Sequence, residues 1–137
     1  MALSDYSPPH ATVTLPGGKS FDVRGLSLDD LTQLLTLHRD DFMAAIALFD
    51  TKSDQPAEFA LELVKVVPDL VASAVALAAD EPGARAVVRK LPGPLLLDTI
   101  MQVGQLTFTD EGALPKFLAN LTALLGGVGK LGLQKTH

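Results

Sequence analysis

The longest apolar run without a charge, LVASAVALAA at residues 70–79, limits the fold more than any other stretch of this chain. Its ten residues fall well short of the roughly 20 that a helix needs to span a bilayer. Its side chains are mostly small, so the segment suits close packing against neighbours. Pro68 precedes it and Asp80-Glu81-Pro82-Gly83 follows it, so the helix it predicts is short and bounded at both ends.

The segments around it must supply those neighbours. With 137 residues, 47% hydrophobic and 20% charged, the chain can bury one core. Aromatic residues are only 5%, so that core is aliphatic, as suits packed helices. Ser27-Leu28-Asp29-Asp30 sets a hydroxyl at an N-cap with an acid three residues on, close to a capping box. Leu28, Leu31, Leu34 and Leu35 follow at helical spacing, and Phe42, Ala45, Ile46 and Phe49 repeat it. Residues 27–50 therefore form one long helix or two with a break near Arg39. The polar stretch 51–55 predicts a loop. Pro56 suits a helix start, with Phe59, Leu63, Val66 and Val67 as its stripe. ARAVVRK at 84–90 is short and amphipathic, and LPGP breaks the chain again. A helix over 95–106 follows, with Gly104 as a weak point. A last stripe runs through Leu114, Phe117, Leu118, Leu121 and Leu125.

The period differs before residue 27. Val13 and Leu15 alternate with threonines, and Phe21 and Val23 alternate with Ser20, Asp22 and Arg24. Alternation on both sides of Pro16-Gly17-Gly18 predicts a β-hairpin over about 11–24. The expected architecture is mainly α: a compact bundle of about five to seven short helices behind a small N-terminal β-hairpin. Residues 1–10 are expected to form a loose arm, 11–125 a single globular domain, and the Gly-rich stretch 126–137 a flexible tail.

Charge and motifs exclude more than they assign. A net charge of −5 argues against general nucleic-acid binding and against an anionic membrane surface. The N-terminal MALSDYSPPH has neither the basic flank nor the apolar core of a secretory signal. There is no cysteine, hence no disulfide, thiolate metal site or Cys nucleophile. Gly18-Lys19-Ser20 resembles the end of a phosphate-binding loop, but that loop needs a glycine where Val13 stands. Gly129-Lys130 fails likewise, with Leu124 and Leu131 in the required places. The glycines of PGGK serve a turn instead. His10, His38 and His137 have no metal-ligand spacing around them. His38-Arg39-Asp40-Asp41 is the densest polar cluster and fits a solvated face or helix junction. Ser73, within the apolar run, is expected to bond back to its own helix. The acid pairs Asp29-Asp30, Asp40-Asp41 and Asp80-Glu81 sit at helix ends, where caps and dipoles account for them. No catalytic residue, cofactor, metal or small-molecule substrate is expected.

Four segments together resemble a known family: LPGGKSFDVRGLSLDDLTQLLTLHRDDF, VVPDLVASAVALAADEPG, KLPGPLLLDTI and LTFTDEGALPKFLANL. They are similar to the small tail assembly chaperones, or pre-tape-measure proteins, of long-tailed bacteriophages. In that family a short segment with a V-R-G-L phrase leads into a helical domain, followed by a P-x-L-V-A helix and an L-T-F junction. The resemblance spans about residues 11–125. It implies a protein that coats the long helical tape-measure protein in the host cytoplasm, keeps it soluble, recruits tail tube subunits and leaves before the tail is finished. It also implies a longer form made by ribosomal frameshifting near the end of the reading frame. The resemblance carries over no functional residue. From the stripes, the candidate partner-binding residues are Phe42, Ile46 and Phe49, then Leu70, Val71 and Val75, then Phe117 and Leu121. Partners would be the tape-measure and tail tube proteins, with self-association allowed for. The alternatives are a structural tail subunit, such as a connector or completion protein, and a small acidic regulatory binding protein.

Overall fold

Alternation around Pro16-Gly17-Gly18 gives two antiparallel strands, β1 (His10–Thr14) and β2 (Ser20–Arg24), paired Val13 with Phe21 and Ala11 with Val23. Gly17 and Gly18 hold φ of 93° and 87°, which a β-carbon would strain. PGGK is thus a hairpin turn. The computed structural model describes residues 2–52, 54–108, 113, 116, 117, 119, 120 and 123. Where the sequence predicts one domain over 11–125, contacts divide the chain into a unit ending at Thr107 and another starting at Phe108. Residues 126–137 lie outside the described residues.

Six helices of the first unit follow: α1 (Leu28–Leu37), α2 (Arg39–Lys52), α3 (Pro56–Val66), α4 (Pro68–Ala78), α5 (Arg85–Val88) and α6 (Gly93–Thr107). Short 3-10 turns occur at Leu3–Asp5 and Pro82–Ala84. The fold is mainly α with a small N-terminal hairpin, as its pattern predicts. Residues 27–50 are two helices. His38 breaks them, at φ −132° and ψ 48°, well outside the helical region. Pro56 and Pro68 each open a helix, where the missing N–H costs nothing. Two boundaries differ from expectation. α2 continues through Thr51 to Lys52, because polar residues at an exposed helix end are tolerated and Lys52 suits the negative end of the dipole. α6 starts at Gly93 and passes through Gly104 without a break.

The run at 70–79 lies at the centre. Eight residues of α4 are buried, on all sides of the helix. Val71, Ala72, Val75 and Ala76 pack with Val88 of α5 and Leu96 of α6, against Leu63 and Val64 of α3. At its C-terminal end Ala78 joins Val13 and Val23 of the hairpin and Val103 of α6. Phe21 borders both clusters and so ties the hairpin into the helical core. α2 packs on α3 partly through an edge-to-face pair, Phe49 and Phe59, 5.6 Å apart.

Candidate functional site

The phrase DVRGLSLDD, residues 22–30, is where the hairpin is fastened to three helices. Val23 alternates inward and is fully buried. Arg24, next along the strand, lies at the edge of that core. Its Nη1 donates to Asp30 Oδ2 at 2.6 Å and to the Gly25 carbonyl at 2.9 Å. Its Nε donates to Asp80 Oδ1 at 2.9 Å, and its Nη2 to the Leu77 carbonyl at 3.2 Å. One guanidinium therefore joins the hairpin to the start of α1 and the end of α4. The fork geometry of Arg suits this; a lysine could not make the same set.

Asp80 has φ 58°, the left-handed conformation that glycine usually takes after a helix. The Glu81 N–H returns to the Ala76 carbonyl, so the end of α4 is closed in the usual helix-stop manner. An aspartate here holds that turn and also supplies Arg24 with a carboxylate. Asp30 has two tasks as well. Its Oδ2 accepts from the Ser27 N–H at 2.8 Å while the Asp30 N–H donates to Ser27 Oγ, a complete capping box. Burial pushes the Asp30 carboxyl pKa up. The hydrogen bonds from Arg24 and Ser27 outweigh that effect and leave it below its ordinary value. The Arg24 pKa is raised, chiefly by the hydrogen bond to Asp30.

Gly25 and Leu26 make the third attachment. A β-carbon on Gly25 would stand 2.5 Å from the Leu106 carbonyl oxygen, in the last turn of α6. The Leu26 N–H donates to Thr107 Oγ1, whose hydroxyl donates to the Val103 carbonyl. A shallow cleft of about 270 Å³ opens beside Arg24, lined by Ser7, Pro8, His10, Asp22 and Asp80 over Val23 and Ala78. Every donor of Arg24 that faces it already has a protein partner.

A second polar contact, His38 with Ser73, joins α4 to the α1–α2 junction. His38 Nε2 lies 2.8 Å from Ser73 Oγ, and Asp41 Oδ2 is 4.0 Å from Nδ1. The Ser73 hydroxyl thus pairs with His38 in place of the expected back-bond to its own helix, and the HRDD cluster is partly an internal tie. The order Ser, His, Asp resembles a hydrolytic triad, yet Ser73 sits within α4, where neighbouring N–H groups are used by the helix and cannot stabilise an oxyanion. Among the described residues no buried side-chain polar atom lacks a partner, and no cluster could hold a metal.

The stripe residues are placed as follows. Phe42, Ile46, Leu70, Val71 and Val75 are buried within the first unit, and Phe49 is half-buried against Phe59. A helix apolar on every face is covered on every face, so α4 presents no free small-residue surface. Phe117 is half-buried in the second unit, 5.5 Å from Phe108. Leu121 lies outside the described residues. On the described helices α1–α6 the large apolar side chains that do face solvent are others: Leu28 and Leu37 on α1, Met43 on α2, Leu61 and Val66 on α3, and Val87 on α5. Leu37, Met43, Leu61 and Val87 fall off the predicted stripes, whereas Leu28 and Val66 stand on them and face solvent all the same. No described helix is long and apolar enough to cross a membrane.

Compared with known proteins, the chain matches one family model, described as "Pre-tape measure protein", over residues 1–136. No curated protein and no solved structure matches it.

Proposed function

This chain belongs to the pre-tape-measure protein family of phage tails, and from that premise we propose that it is a tail assembly chaperone. It binds the tape-measure protein, keeps it soluble and helps bring tail tube subunits to it. It works by protein–protein contact in the host cytoplasm, without catalysis. The family match over residues 1–136 carries this reading. The structure is compatible with it. Apolar side chains stand exposed on four helices of a protein whose net charge of −5 favours solubility. The core residues of α4 are interior, so a client meets the outer faces first. It reaches Val71 or Val75 only if the packing around α4 opens.

Co-expression with the tape-measure protein of the same phage tests the reading. A stable complex recovered by affinity purification of either chain is the expected result. Finding this protein as a stoichiometric part of finished, purified tails would instead support the structural-subunit reading.

A further inference from the structure

α5 and the turn that follows it carry charge opposite to that of the protein as a whole, while Asp80 and Glu81 precede it. Arg85, Arg89 and Lys90 are all exposed, and Val87 between them is 63% exposed. Among the described residues only Arg89 of the three has an acidic partner, Asp69 in the first turn of α4. That ion pair holds α5 beside the α3–α4 turn, where Val66 is also exposed three residues before Asp69. The backbone there is tied to the core and to itself. Val88 is buried against α4, and N–H groups of Arg89, Lys90 and Leu91 bond back to residues 85, 87 and 88. A cationic knuckle with an aliphatic centre thus stands on a protein of net charge −5.

We propose that this knuckle is the docking point for an acidic segment of the client, with carboxylates meeting Arg85 and Lys90 and an aliphatic side chain set against Val87. The inference deepens the chaperone reading and rests on it. Charge complementarity selects the occupant. Arg85 and Lys90 have no acidic partner within the described fold, and their attraction for carboxylates steers encounter and fixes register. A nucleic acid would meet the same two cations, but two cations release too few counterions to hold a polyphosphate backbone, whereas they match one or two carboxylates.

The test uses the full chain and an array of overlapping peptides covering the tape-measure protein of the same phage. Wild-type protein is expected to capture peptides rich in Asp and Glu around an aliphatic residue, with capture falling as salt rises. R85E/K90E should weaken capture roughly tenfold or more, and the milder R85Q/K90Q should weaken it less. Lys19→Glu, on the hairpin turn, lowers net charge elsewhere and should leave capture unchanged. Circular dichroism checks that each variant is folded; the Gln variant serves if the Glu variant is not. Equal capture by wild type and both variants overturns the docking point while leaving the chaperone reading intact. Failure of the wild-type protein both to capture any peptide and to hold the intact tape-measure protein overturns the chaperone reading. Loss in the variants of binding to a single-stranded oligonucleotide, with no peptide captured, overturns the acidic-segment proposal in favour of a phosphate ligand.

Discussion

Arg24 and Asp30 make a partly buried ion pair that ties the hairpin to the start of α1. Replacing Arg24 with Met leaves a buried carboxylate with its main partner gone. Such a change costs about 3 kcal/mol, to be read from urea denaturation. Adding Asp30→Asn should recover part of that loss, which a double-mutant cycle measures. The same contact sets an acid response. The folded Asp30 pKa lies below its ordinary value of 3.8, so its contribution is fully present above that value. It is lost as pH falls through the folded value. Stability followed down the acid range should decline more gently in the Asp30→Asn protein than in wild type. Gly25→Ala sets a β-carbon against the Leu106 backbone, which has no flexible side chain to give way; overpacking of this kind costs about 1–3 kcal/mol. The sequence shows some of this. Ser27 and Asp30 announce the cap by their spacing, and VRGL is a family phrase. It does not show that Arg24 meets Asp80, 56 positions away, or that Gly25 abuts Leu106. Those contacts follow from the tertiary fold, and a single sequence carries no sign of them.

Elements are more legible than their contacts, because hydrophobic period and proline placement are local properties. The change from period two to helical spacing at Ser27, and the helix starts at Pro56 and Pro68, all stand where the residues put them. Which stripes face solvent is less legible, since spacing shows that a helix has an apolar face but not what covers it. α4 is the clear case. Its small residues suit either a free docking face or a crowded interior, and the structure buries them. Ala72→Leu or Ala76→Leu should therefore destabilise by about 1–3 kcal/mol, because both sites are fully enclosed beside Val88 and Leu96. A free docking face would accept leucine without loss, so chemical denaturation distinguishes the two situations. Ser73→Ala removes the hydroxyl partner of His38 and should cost about 1 kcal/mol. That loss is expected with helix content in the far-ultraviolet unchanged.

At the scale of the whole molecule, two features stand apart: a densely packed first unit centred on α4, and an outer surface with scattered apolar side chains and one cationic knuckle. The first is a core built without disulfides, since the chain has no cysteine. On the proposed chaperone reading, the second would give a client something to touch while the acidic remainder keeps the complex dispersed. The family match points to the tape-measure protein as the client of that reading, which neither composition nor periodicity names. One measurement tests the account most directly: the soluble fraction of the tape-measure protein made in the host cell with and without this chain. The tape-measure protein should be largely insoluble when made alone and largely soluble, bound to this chain, when both are made. A tape-measure protein equally soluble in both cases would contradict it.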